Sequence, residues 1–458
     1  MITNFLDNNK KMFIYASSLF AFTAIIACIV FPHGIIGVSR VEYYLLFISA
    51  IFFIFIGRSI FDVKLMLPYI LLAIAFFIPI LYHFNQSTYY AFANLIPLLI
   101  GSYVISWHFK NNNFSKNFYF SFCIVILMGI ILCLIQNITA TNYWLINLYD
   151  IEMLNEHLNS SNGMFPLDPG FGYGLESETL GFSSLFLSLI ILGAYIYKNV
   201  SFLTMIILLS FSNIGMLLSG WRVIWLAYFV TIFIMFLIRR KFNTCYIWGI
   251  SIFTIFYLLL NILVEHTKAF PPNSNIVRGS EGRFLIQNKN KDQMNKSIKL
   301  KRQYNNIDAR LWHWNYFIPL LKSNNILGSG PKSYYEKTTY SYVKKNHPNF
   351  TYENKEKDYK NFFKKSSFDA LNSFIVIGIE YGLWALFFIS WSFYLIIRQI
   401  INIFRTKTYL GCSMFVSLAI FTSVLLIIST RTYQFTNFAW FSLAFLIGSL
   451  YCNDNKKT

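Results

Sequence analysis

The sequence predicts an all-α integral membrane protein of about 12 transmembrane helices, with one large loop between the ninth and the tenth. Three observations predict it. Of the 458 residues, 56% are hydrophobic and 13% charged, against about 25% charged in an average soluble protein. The apolar residues gather in blocks long enough to cross ~30 Å of hydrocarbon as helix. The short loops between the blocks are strongly asymmetric in Lys and Arg. A soluble enzyme and a disordered chain are excluded by the apolar fraction, and a disulfide-stapled module by the length and the six cysteines.

Taken in order, the expected spans are 12–31, 43–57, 66–82, 89–107, 117–136, 176–197, 201–218, 222–238, 245–263, 371–397, 408–429 and 434–452. The first follows Lys10 and Lys11 with no small-residue cleavage site, and reads as a retained signal-anchor. With the N-terminus inside, the inward segments carry fifteen Lys and Arg, among them Arg58, Lys64, Lys110, Lys198 and the run Arg239-Arg240-Lys241. The outward short segments carry three: Arg40, Arg222 and Arg431. That imbalance sets both termini in the cytoplasm.

Three regions follow: membrane helices over 1–263, a large loop over 264–370, and membrane helices over 371–458. The loop holds 20 of the 38 basic residues against nine acidic ones, and at this length it is expected to be functional. Its stretches 283–302 and 343–365, rich in Lys and Asn, are expected to be solvated. Between them Ile307, Leu311, Trp314, Ile318 and Leu321 recur at helical spacing and predict an amphipathic helix that Pro319 ends or kinks. Gly328-Ser329-Gly330-Pro331 predicts a turn.

Charges near bilayer depth are costly and therefore candidates for function. These are Glu176 and Glu178 at the mouth of the sixth span, Arg222 at the mouth of the eighth, Glu380 inside the tenth, and Arg431. A guanidinium held at a short turn, as Arg222 is in Ser219-Gly220-Trp221-Arg222, suits a diphosphate; the same residue could equally snorkel to lipid phosphates. Arg310 is either solvated charge or, held by the amphipathic helix, a second diphosphate ligand. Glu176, Glu178 and Asp369 open helices, where a carboxylate favours the N-terminal dipole, or they take a proton from a sugar hydroxyl. His313 and His347 lack metal-ligand spacing, and no metal or cofactor motif is present.

Three segments together resemble the O-antigen polymerase (Wzy) and O-antigen ligase superfamily of membrane glycosyltransferases. They are Ser219-Gly220-Trp221-Arg222; Arg310-x-x-x-Trp314 followed by Asn325-Ile326-Leu327-Gly328-Ser329-Gly330-Pro331; and Asp369-Ala370-Leu371-Asn372-Ser373 followed by Glu380-Tyr381-Gly382-Leu383-Trp384. The resemblance runs from about residue 160 to 397. It implies a bacterial inner-membrane enzyme whose large loop is periplasmic and which uses an undecaprenyl-diphosphate-linked oligosaccharide without a cofactor. It further implies Arg222, Arg310, Asp369 and Glu176 as catalytic residues, with Ser219, Trp314, Gly328, Gly330, Asn372 and Glu178 binding substrate. Where the ligase branch carries a His before the Asn, this sequence has Leu371, which favours polymerase over ligase or protein O-oligosaccharyltransferase. A flippase for the same lipid-linked sugars is the other alternative. Expected partners are membrane lipid and possible members of the same pathway, a chain-length regulator and a flippase; no nucleic acid is expected.

Overall fold

In the computed structural model, residues 2–30, 40–84, 86–113, 116–139, 177–219, 222–239, 244–266, 276–278, 284–286, 314, 317–321, 326–331, 333–334, 372–406, 412–429 and 437–452 are described. Twelve helices overlap the twelve expected spans one for one: α1 Ile2–Val30, α2 Val41–Ile54, α3 Val63–Tyr82, α4 Gln86–Lys110, α5 Lys116–Thr139 and α6 Ser177–Ile196. They continue with α7 Phe202–Leu218, α8 Arg222–Arg239, α9 Thr244–His266, α10 Ser373–Thr406, α11 Cys412–Ile428 and α12 Asn437–Leu450. Among the described residues, five stretches, in α1, α3, α4, α6 and α10, are long and apolar enough to cross a membrane, and the remaining helices carry shorter apolar stretches. Many large apolar side chains face outward, including Phe47, Leu203, Phe233 and Phe387, as expected of an integral membrane protein whose solvent is lipid.

The contacts fix the direction of the helices. Trp384 and Ser392 of α10 donate to the carbonyls of Ile74 and Pro68, so α10 runs antiparallel to α3. Ser102 and Ser106 of α4 donate to Trp440 and Ala444, so α4 and α12 run parallel. Ser188 of α6 meets Ser212 of α7 at 2.7 Å in an antiparallel pair. His83, Ser177, Ser219, Ser373 and Asn437 therefore share one end of the bundle, while Asp62, Lys110, Ile196 and Cys452 share the other.

At that second end Asp62 caps α3, accepting from the N–H groups of Lys64 and Leu65 at 3.1 and 3.3 Å. It also receives the Lys110 ammonium. Burial alone would raise its carboxyl, but the Lys110 hydrogen bond and charge, with the two N–H groups, leave it below the usual carboxylate range.

The structure adds one element to the helical fold and corrects one expectation. Ile276–Arg278 and Phe284–Ile286 pair as an antiparallel hairpin, Val277 opposite Leu285. The sequence carries a hairpin pattern here, Ile276-Val277 and Phe284-Leu285-Ile286 flanking a connection with Gly279 and Gly282. The buried face near Trp314 is rotated. Phe317 and Leu320 are buried and Ile318 is exposed, because Phe317 packs tilted against Tyr334 with ring centres 5.3 Å apart and Leu321 lies against Gly378. Residues 317–321 are helical on both sides of Pro319, which leaves a kink, of the two expected effects, as the one open to that proline.

Candidate functional site

The two glycines of the expected turn form one half of the site. Gly328 and Gly330 have φ of 76° and 95°, a region that glycine enters without a Cβ penalty. They lie against α10 at the point where that helix breaks, Gly382, with φ 77° and ψ −175°. In an unbroken helix the carbonyls of Ile379 and Glu380 would accept from the N–H groups of Leu383 and Trp384. Here Ser329 N–H donates to Ile379 at 3.0 Å, Gly330 N–H donates to Glu380 at 2.9 Å, and Trp384 N–H donates to Ile326 at 3.0 Å. Three backbone groups opened by the break are thus satisfied by the turn, as buried backbone requires.

The approach leaves no room for side chains. A Cβ on Gly382 would stand 2.0 Å from the Ile326 carbonyl oxygen, and one on Gly328 would stand 2.5 Å from that of Glu380. His83, at the end of α3, completes the junction. Its Nε2 lies 3.1 Å from the Gly328 carbonyl, so this nitrogen carries the proton and donates. Its Cβ lies 3.0 Å from where a Cβ on Gly330 would stand. Glu380 is 2% exposed. Asn372 caps α10, its Oδ1 accepting from the N–H groups of Phe374 and Ile375 at 2.9 and 3.2 Å.

The other half is Ser219, which follows α7, and Arg222, which opens α8. Ser219 is fully buried, its hydroxyl donates to the Met216 carbonyl at 2.7 Å, and its Oγ would lie 2.9 Å from a Cβ on Gly181. Glycine at 181 therefore lets the α7–α8 turn press onto α6, which fixes where α8 begins. Ring contacts join the two halves. Phe182 stacks on Phe438 at 5.0 Å, two residues on Trp440 lies 6.5 Å from Phe76, and Phe76 meets Tyr381 edge to face at 5.1 Å.

Of the expected site residues, Gly328 and Gly330 seat on α10 at its break and Asn372 caps the start of the same helix, roughly 15 Å away along the axis, with Trp314 half-buried nearby in sequence. Ser219 and Arg222 stand across the aromatic layer at the same end. Glu178 lies in the first turn of α6, but its side chain and that of Arg222 are outside the described part. Arg310, Asp369 and Glu176 lie outside the described residues.

Three polar residues were not anticipated: the half-buried His83 and the fully buried Glu42 at this end, and the fully buried Asn213 within α7. His83 carried no motif. Glu42 was missed because the second span was started one residue after it; it is fully buried, accepts from Asn437 at 2.8 Å and pairs with Arg40 at 3.7 Å. Asn213 of α7 is fully buried, and among the described residues its amide has no hydrogen-bond partner. Polarity within an apolar block was the available signal for both Glu42 and Asn213.

Residues 203–390 match the family model described as O-antigen ligase. A comparison with curated protein sequences finds no match. The matched segment contains Ser219, Arg222, Trp314, the glycine turn, Asn372 and the break at Gly382.

Proposed function

On the match over 203–390 the chain belongs to the O-antigen ligase/Wzy superfamily, and from that premise we propose that it is an O-antigen or related surface-polysaccharide polymerase. In this reading it has twelve transmembrane spans, cytoplasmic termini and a periplasmic loop over 264–370, and it sits in the bacterial inner membrane. The glycine-turn end of the bundle then faces the periplasm. The donor is a glycan on undecaprenyl diphosphate, and the acceptor is the non-reducing-end hydroxyl of a second lipid-linked repeat unit.

The bond from the donor sugar to the diphosphate breaks as the acceptor oxygen attacks, and negative charge grows on the departing diphosphate. Arg222 and Arg310 stabilise that charge, and a fixed cation in a partly dry site is worth far more there than in water. Asp369 or Glu176 takes the acceptor proton. The loop's excess of eleven positive charges, 20 minus nine, attracts anionic lipid heads over longer range.

The observation that carries polymerase over ligase is Leu371 beside the capping Asn372: an aliphatic side chain offers no base at the position where the ligase branch carries one. A deletion strain tests it. Single-repeat glycans should accumulate on the cell surface. Long polymer left on its lipid carrier would instead indicate a ligase, and lipid-linked repeats trapped in the cytoplasm a flippase. In the complemented strain, Arg222→Lys should lose the polymer ladder nearly as fully as Arg222→Ala, because a point charge cannot replace a bidentate fork.

A further inference from the structure

We propose that His83 is a positioning residue for the transfer reaction, its imidazole N–H holding the Gly328 carbonyl so that the glycine turn stays seated on the break in α10. The assignment rests on the polymerase reading for its reaction, and on geometry alone for its contact. His83 lies outside the matched segment 203–390, so on this assignment the N-terminal helices, too, contribute to the site.

Two contacts support it. The Nε2 to Gly328 oxygen distance is 3.1 Å across 245 residues of sequence. Gly330 bends over the histidine so closely that an added Cβ would lie 3.0 Å from the His83 Cβ and 3.2 Å from its Cγ. The turn is therefore gripped from two sides, by the broken backbone of α10 and by the ring at the end of α3. The chain entering the turn comes from Trp314 and Arg310. Phe317 and Leu320, between Trp314 and the turn in sequence, are buried. Displacing a reacting group by about 1 Å can cost about a hundredfold in rate. The bond asks only for a donor at the Nε2 position, which a glutamine amide reaches.

The experiment uses full-length protein in proteoliposomes with an undecaprenyl-diphosphate-linked repeat unit. His83→Ala should lower kcat ten- to a hundredfold and change KM less than threefold at equal membrane abundance, and His83→Gln should restore kcat to within about threefold of wild type. In parallel, Ser329→Cys in a cysteine-free background reports on the turn without any activity. An impermeant thiol reagent should label it at least fivefold faster with His83→Ala than with His83 or His83→Gln. Equal labelling in all three would overturn the proposal, as would His83→Gln being as inactive as His83→Ala, since the ring itself would then be doing chemistry. If the wild type makes no polymer, the polymerase reading falls, and the labelling still decides the role of His83.

Discussion

The two ends of the bundle are closed in different ways. At the glycine-turn end, backbone meets backbone: Ser329, Gly330 and Trp384 donate to Ile379, Glu380 and Ile326, through three glycines at positive φ. At the opposite end, side chains do the work. Asp62 caps α3 and takes the Lys110 ammonium, and the Tyr103 hydroxyl reaches the Ile60 carbonyl. Gly57 also has a positive φ, of 83°, but nothing stands within 4 Å of its absent Cβ. A closure made from side chains can lose one member and keep the rest. One made from interlocked backbone cannot, because a Cβ at Gly328 or Gly382 meets the backbone of the other side.

The sharpest break is Gly382→Ala. A methyl group 2.0 Å from a carbonyl oxygen forces the turn off α10, beyond the ~1–3 kcal/mol of backbone strain. Polymer synthesis should be abolished and the unfolding temperature in detergent lowered; a wild-type ladder would mean that the junction can open freely.

Asn372 comes next. Losing a cap costs about 1 kcal/mol, so Asn372→Ala should be moderately destabilised, whereas Asn372→Ser should keep the cap. If Asn372→Ser retains thermal stability and activity, the residue is a cap alone. Activity lost at full stability would support its assignment to substrate.

Gly57→Ala should cost about 1 kcal/mol of left-handed strain and leave the ladder unchanged. It has the positive φ of Gly382 without the close approach, so an equal loss of activity would erase the difference drawn between the two ends.

The smallest effect is expected from Asp62→Asn, which keeps the cap and gives up an ion pair worth no more than about 1 kcal/mol. Because the Asp62 carboxyl titrates below its ordinary range, its ionised form adds stability above that range, and the contribution is lost as pH falls through the folded-state value. Thermal melts from neutral to acid should show the wild-type advantage over Asp62→Asn shrinking as the pH is lowered; an advantage that grows would reverse the assigned sign.

The sequence by itself determined where the helices are, because an apolar block in a charge-poor chain has few alternatives to helix when lipid is its solvent. It also marked Gly328-Ser329-Gly330-Pro331 as a turn, from residue types whose backbone preferences are local. Only the tertiary structure decided what that turn does. The break at Gly382 carries no local signature beyond one glycine in an apolar helix, and its meaning comes from Ile326, 56 positions away. His83 and Glu42 were illegible for the same reason, their partners Gly328 and Asn437 lying 245 and 395 residues along the chain. Hydropathy is a sum over neighbours in sequence, and it resolves a span to within a few residues, which is how Glu42 fell outside one. A hydrogen bond joins two particular atoms about 3 Å apart, so which distant residues share one is settled by how the helices pack.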